Sequence, residues 1–472
     1  MIKPYISVVI GKGFGDEGKG MAVDFLASRY NKVLVVRHNG GAQSGHTVEV
    51  PDKRFVFHEL SSGSFRMADT FWADTFFPDM YKLSEEISEF EEVCKGEKKS
   101  VGARDGEFEE ACKVGIKSEG VKELGDGQGS LQMPTIYADV NAQVTIIDDV
   151  LINMAAELAR GEERHGSCGM GIYEAFCRGK AGYEITIGDL MSLNYEALVN
   201  RLEVIRREYL PKRLKELGLD LAGENVKHKI REFGEMLMEP EVIRNAARTM
   251  LDNMIYVTPV RNVKELFDNY EEVIFESGQG LLLDTDNEKY SPHVTASKTG
   301  LANPCALLKR IGYCLDEVVY VTRSYVTRHG AGPLPNECDK RELGITDEDK
   351  TNIDNPWQGS IRYARHEGLE EFAEDIRIDM EYALQLEGII NRPNSDGGMC
   401  DISKHTTATK CILMITHLDE TNGKMMCNDG AVEVAEFCEK FRVRCGENGE
   451  GEQRMFDGYY LSWSRYGDVR RA

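Results

Sequence analysis

Short apolar runs that stop at glycine or at a polar residue recur along the chain. The first, over residues 6–10, is rich in β-branched side chains and stops at Gly11. A glycine-rich stretch follows, and residues 21–30 then carry apolar side chains at helical spacing. A second apolar run occupies residues 32–36, so the chain opens as strand, loop, helix and strand, the start of a parallel sheet. The pattern returns at residues 273–276 (VIFE), 318–322 (VVYVT) and 411–416 (CILMIT). Runs that are apolar at consecutive positions predict strands covered on both faces. If they lie parallel to the first strand, each brings its polar end to the same sheet edge. Residues 48–56 predict a hairpin, 148–160 a helix, and 195–254 a mostly helical region. Residues 84–130 are charged, glycine-rich and poor in large apolar side chains, which predicts a partly helical surface insertion. The pattern as a whole predicts one α/β domain over 1–472, a large mainly parallel sheet with flanking helices and that insertion.

The most informative polar stretch is the loop after the first strand. In ISVVIGKGFGDEGKG, residues 6–20, Gly13 and Gly18-Lys19 have the spacing of a phosphate-binding loop, with Gly15 between them. Glycines turn backbone N–H groups toward a polyphosphate, the helix start adds a favourable dipole, and lysine adds a point charge. The hydroxyl residue expected after the lysine, which would hold Mg²⁺, is Gly20; an acid, Asp16, lies inside the loop instead. Asp16 is therefore the candidate metal ligand and proton acceptor, against the plainer reading of a loop-capping aspartate. His46, in the glycine-rich RHNGGAQSGHT segment, can donate to a phosphate oxygen or can be an ordinary turn residue. Gln279 follows a strand directly, where its amide can bind a nucleobase oxygen, and Thr295 offers a hydroxyl nearby. Asp419, in THLD, can accept two hydrogen bonds from guanine or can cap a helix; the lysine usual two positions earlier in GTP-binding folds is His417.

Charge narrows the partners. The 472 residues carry a net charge of −23, which argues against nucleic-acid backbones and anionic membranes but not against a local basic pocket. No apolar run reaches membrane-spanning length, and the start lacks a secretory pattern. Twelve cysteines without a C-x-x-C pair fit reduced thiols in the cytoplasm.

Taken together and in order, GKGFGDEGKG, RHNGGAQSGHT, FHELSSG, ESGQGLLLDTDNEKYSPHVTAS, SYVTRHGAGPLPNE and THLD resemble the adenylosuccinate synthetase family, with YLSWSRYGD a looser match. The resemblance implies that family's phosphate-loop-like α/β fold, a homodimer, and a reaction joining IMP to L-aspartate with GTP and Mg²⁺. It implies that Asp16 takes the purine N1 proton and binds Mg²⁺ together with the Gly45 carbonyl, and that His46 assists phosphorylation of the 6-oxygen. Lys19 would neutralise phosphate charge. Gln279 would hold the 6-oxygen, Thr295 a nucleotide phosphate and Asp419 the guanine, and Arg178 would reach the partner subunit's nucleotide. Two departures stand out. The second glycine-rich loop reads HGSCGMG in place of paired threonines, and the arginine-rich loop that binds aspartate is replaced by acidic GITDEDKTNIDNPWQGSIRYARHEG. Arg328, Arg362 and Arg365 are the candidate substitutes. Aspartate with IMP and GTP is the leading expectation. A paralogue using another amine, another 6-oxopurine nucleotide or ATP is the second, and a catalytically inactive nucleotide-binding regulator the third.

Overall fold

The structure, a computed structural model, describes residues 3–96, 133–221, 223, 226–346, 359–390, 409–446, 456–463 and 469–471. The strands in chain order are β1 (Tyr5–Gly11), β2 (Val33–Arg37), β3 (His46–Val50), β4 (Lys53–Phe57), β5 (Asp69–Trp72), β6 (Ile136–Asp139), β7 (Val257–Val260), β8 (Glu272–Gly280) and β9 (Glu317–Arg323). They continue with β10 (Val326–Arg328), β11 (Glu337–Cys338), β12 (Arg362–Ala364), β13 (Lys410–Thr416), β14 (Lys424–Cys427), β15 (Gly430–Glu433), β16 (Gly458–Ser462) and β17 (Val469–Arg471).

Ten of these form one sheet in the order β17-β16-β13-β9-β1-β8-β2-β5-β6-β7. Every pairing in it is parallel except that of β16 with β17. The consecutive apolar runs are its centre: Ile6, Val8, Val9 and Ile10 of β1, and Val273, Ile274 and Phe275 of β8, are wholly buried. Helices cover both faces, as parallel strands require. One face carries the large apolar cluster that includes Val8, Phe275, Val318 and Ile376; the other carries Val9, Val23, Ile274 and Met414.

Because the strands are parallel, the C-terminal ends of β2, β8, β1, β9 and β13 share one edge. Ligands of open α/β sheets bind at such an edge.

Two expectations change. The hairpin begins at His46, so this histidine is a strand residue rather than a loop residue. The first part of the expected insertion is a packed helix, Leu83–Lys95, which buries Leu83, Phe90 and Val93. Its Glu86 is buried too, and accepts the N–H groups of His58, Glu59 and Leu60 at 2.9–3.1 Å. That helix therefore anchors the FHELSSG loop. Residues 97–130 lie outside the described residues, as do 347–358 of the acidic segment and 464–468 of the tail. Among the described residues, no helix is long and apolar enough to cross a membrane.

Candidate active site

The glycine-rich loop leaves β1 and enters the helix Lys19–Ala27 through Gly18, whose φ of 92° places it in the left-handed region. Asp16 is left-handed as well, at 61°, a conformation aspartate tolerates better than most side chains. No side chain caps this helix start, which leaves the end of the helix to an anion. Gly20 marks a close approach: a Cβ there would meet the Thr47 carbonyl oxygen at 2.9 Å and the His46 Cβ at 3.2 Å. The glycine that replaces the usual hydroxyl residue is what lets the β3 strand lie against the loop.

An unexpected group holds the loop's donors. The buried Glu17 carboxylate accepts the N–H of Gly13 at 3.1 Å and of Gly15 at 2.7 Å, and pairs with the Lys19 ammonium at 2.8 Å. Burial alone would raise the Glu17 carboxyl; Lys19 and the Gly15 N–H outweigh it and hold it below the ordinary value. Asp16 faces the other way, with its carboxylate 3.5 Å from His329 Nε2 and partly exposed, and its carbonyl oxygen accepts from Arg323 Nε at 2.5 Å. Among the described residues no group of three or more His, Cys, Asp or Glu side chains forms a metal cage. A single partly exposed carboxylate such as that of Asp16 fits Mg²⁺, which is commonly held by one or two carboxylates together with substrate phosphates and water. Gly45 directly precedes β3, wedged against His58 and Val56.

His46 stands at the centre of a buried network. Its Nδ1 lies 2.5 Å from Glu276 Oε1, and its Nε2 lies 3.3 Å from the Gly278 carbonyl oxygen. Glu276 is wholly buried and also accepts the Ser62 hydroxyl and N–H, while Arg37 Nη1 stands 3.6 Å away. Burial would raise this carboxyl, yet Arg37, His46 and Ser62 together hold it at about 2. Burial also pushes the His46 imidazole below its usual value, against the pull of Glu276.

Gln279 lies within the last turn of pairing of β8, beside the β2 exit: its Oε1 accepts from Asn39 Nδ2 at 3.3 Å, and a Cβ on Gly40 would meet it at 2.9 Å. Ser297 joins this group through Gly40 N–H at 3.1 Å. Thr295 is half-buried in the loop beyond, with its N–H on the Leu283 carbonyl. Asp419 is exposed in a turn that leads to β14 and opens no helix. The end of β13 nevertheless touches the phosphate loop, because Thr416 donates its hydroxyl to the Glu17 carbonyl at 2.8 Å.

Arg178, expected to reach a partner subunit, is turned into its own chain. It is 0% exposed, and its guanidinium is committed to Asp149 at 2.9–3.1 Å and to the carbonyls of Val144 and Tyr183. Two of the arginines considered for carboxylate recognition are also engaged within the chain. Arg362 pairs through two nitrogens with Glu337. Arg328 is buried, donates to the Pro333 and His293 carbonyls, and is pushed down to about 10 by that burial. Arg365 differs: it lines a cleft beside the phosphate loop, with Lys12, Arg323 and Phe372, and donates to the Glu342 carbonyl.

Sequence reasoning passed over Glu17, Glu276, Arg37 and Arg323. The available signal for Glu276 was a carboxylate ending a fully apolar strand, since a buried charge requires a partner.

Comparison with known proteins bears on the whole arrangement. The family model described as adenylosuccinate synthetase matches residues 8–102 and 119–355. Adenylosuccinate synthetase of Thermoplasma volcanium is 27% identical over 333 residues, covering 70% of this chain and 63% of that protein. The Chlorobium chlorochromatii enzyme of the same name is 29% identical over 340 residues, covering 71% and 65%. The chain thus spans just under two thirds of the length of these relatives. Among solved structures, fully ligated adenylosuccinate synthetase from Plasmodium falciparum aligns with a TM-score of 0.53 at 18% identity, over 88% of this chain and 77% of that one. Cyanophage S-2L succinoaminodeoxyadenylate synthetase, bound to dGMP and dATP as an energy donor, aligns with a TM-score of 0.54 at 12% identity, over 100% and 96%. At those identities the two structures share the fold, and with a family model that matches well over half of its residues the chain belongs to the adenylosuccinate synthetase family.

Proposed function

We propose that the chain is a nucleoside-triphosphate-dependent ligase that phosphorylates the 6-oxo group of a purine nucleotide and replaces it with an amine, the substrates being IMP, L-aspartate and GTP. The observation that supports this most is that Asp16 and Lys19 of one loop, His46 and Gln279, from three separate stretches of the chain, stand around adjoining strand ends at one sheet edge. A carbonyl oxygen leaves poorly, and phosphorylation makes it a good leaving group. In this reading Asp16 accepts the N1 proton, so the 6-oxygen attacks the γ-phosphorus and the nucleoside diphosphate leaves. The amine nitrogen then bonds to C6, the C6–O bond breaks, inorganic phosphate departs, and the amine's proton passes to solvent. Gln279 holds the 6-oxygen, Lys19 and the loop amides neutralise phosphate charge, His46 donates to a phosphate oxygen, Thr295 binds a nucleotide phosphate and Asp419 reads guanine. Mg²⁺, held by the Asp16 carboxylate and the Gly45 carbonyl, would supply further neutralisation of the triphosphate. The active species is a homodimer, without a contribution from Arg178.

A second reading keeps the chemistry and changes the substrates: another amine, another 6-oxopurine nucleotide, or ATP as donor. Two observations favour it, namely the commitment of Arg328 and Arg362 within the chain and the fold shared with a synthetase bound to dGMP and dATP. The deciding measurement is phosphate release from GTP and from ATP with Mg²⁺ and IMP, with and without aspartate. Aspartate-dependent release with a succinyl-bearing product supports the first reading. Release only with other purines or amines supports the second. Nucleotide binding without turnover under any combination would overturn both, and Asp16→Asn retaining full turnover would remove the assigned base.

A further inference from the structure

We propose that Glu276 is the positioning residue for His46, and that Arg37 and Ser62 hold Glu276 in place for that purpose. The inference rests on the phosphoryl-transfer role given to His46 above, and it names how this chain fixes that ring.

The sheet register brings the groups together. β2 and β8 pair in parallel with Arg37 opposite Glu276, so the last residue of one strand meets a carboxylate on its neighbour. Both side chains are 0% exposed. Arg37 Nη1 lies 3.6 Å from Glu276 Oε2, and the guanidinium packs over the Phe76 ring at 5.3 Å. Its Nε and Nη1 find no hydrogen-bond acceptor among the described residues, and its Nη2 donates to Ser44 Oγ at 2.6 Å. The charge of Arg37 is thus spent on Glu276, and its remaining donor ties down the segment two residues before His46. Ser62 closes the other side, with its hydroxyl on Oε1 and its N–H on Oε2 at 3.3 Å.

An ionised carboxylate can only accept, so the proton between Glu276 Oε1 and His46 Nδ1 belongs to the imidazole. That bond sets which nitrogen carries the first proton and fixes the plane of the ring. Nε2 lies a long 3.3 Å from the Gly278 carbonyl oxygen, which can accept from it only when the ring takes a second proton; that imidazolium, balanced by the Glu276 carboxylate, is the form that donates to a phosphate oxygen. A weak contact of that kind is readily exchanged for a phosphate oxygen. The loop helix start lies beside this ring, since Gly20 leaves room for the His46 Cβ. Carboxylate, imidazole and reacting oxyanion in series is a general arrangement, in which the carboxylate orients and the imidazole acts.

The test uses Glu276→Gln, Glu276→Asp and Ser62→Ala in the full chain, with two readouts. Nitrogen-15 NMR of the imidazole in the unliganded protein reads the His46 tautomer without any substrate. Steady-state phosphate release separates kcat from KM. Glu276→Gln is expected to move the proton from Nδ1 to Nε2 and to lower kcat by about 10²- to 10⁴-fold, the range seen when a histidine-orienting carboxylate is removed, with KM for the triphosphate within about threefold. Glu276→Asp is expected to regain part of kcat. Ser62→Ala, which removes one bond and no charge, is expected to lower kcat several-fold and serves if Glu276→Gln does not fold. An unchanged tautomer, or kcat within threefold of wild type, or a change confined to KM, would overturn the proposal. If no substrate combination turns over in the wild type, the ligase reading fails while the tautomer measurement still decides the positioning role.

Discussion

Glu17 takes up donors that the proposed phosphate loop would offer to a nucleotide, and replacing it by glutamine tests whether the loop is self-occupied. The carboxylate takes the Gly13 and Gly15 N–H groups and the Lys19 ammonium, three of the donors a triphosphate needs. A nucleotide that uses them must first displace Glu17, so its observed affinity is reduced by whatever the internal anion contributes. Glutamine keeps a side-chain oxygen for the two amides and removes the charge that holds Lys19. A hydrogen bond to a charged group contributes about 1.5–3 kcal/mol. Losing that preference should tighten triphosphate binding by roughly 10- to 100-fold at about 1.4 kcal/mol per decade. The same change leaves Lys19, 3% exposed, without its counter-charge, so the unliganded protein should lose about 3–5 kcal/mol of stability. Isothermal titration of wild type and Glu17→Gln with GTP and with inorganic pyrophosphate, both with Mg²⁺, measures the first effect; urea unfolding measures the second. Loss of stability together with unchanged or weaker binding would refute the reasoning. Glu17 would then be a permanent strut, and the nucleotide would use other donors.

Gly20→Ser restores the ordinary phosphate-loop hydroxyl but places a Cβ 2.9 Å from the Thr47 carbonyl oxygen, so phosphate release is expected to fall at least tenfold rather than rise. Arg178→Met strands the buried Asp149 carboxylate and should cost about 3–5 kcal/mol in urea unfolding while sedimentation shows the same oligomer as wild type. In the guanine-reading role proposed for Asp419, Asp419→Asn should lower the GTP-over-ATP ratio of kcat/KM by about tenfold, because asparagine offers a donor where guanine requires a second acceptor. The folded Glu276 value of about 2 lies below its ordinary 4.5, so its contribution is present above pH 4.5 and lost as pH falls toward 2. That difference corresponds to about 3 kcal/mol. The unfolding free energies of wild type and Glu276→Gln should converge as pH falls from about 5 to about 2, and a constant gap would contradict the assignment.

What could be read from the chain and what could not divides along a physical line. β1, β8, β9 and β13 were legible because a strand covered on both faces must be apolar at consecutive positions, a local property. The spacing of Gly13, Gly18 and Lys19 was legible for the same reason. That part of residues 84–130 is helical was legible, but the packing of the helix Leu83–Lys95 was not, because its apolar residues lie among many glutamates, and one of those, Glu86, is itself buried as the acceptor for three backbone N–H groups. A charged residue counted as surface was part of the packing.

The same error, repeated, hid the centre of the site. Glu276 looked like the polar end of a strand, and Glu17 drew no reading of its own, whereas both are buried and both are held ionised by cations. Neither partner set follows from spacing. Arg37 meets Glu276 because β2 and β8 are neighbours in the sheet although β3 to β7 intervene in sequence, and His46 reaches the same carboxylate because Gly20 admits β3 to the loop. A buried anion costs several kcal/mol unless something compensates it, so each of these two carboxylates implies a cation nearby before any contact is known. For a strand such as VIFE the required cation is a basic residue ending an adjoining strand, and the sheet order supplies Arg37, the last residue of β2.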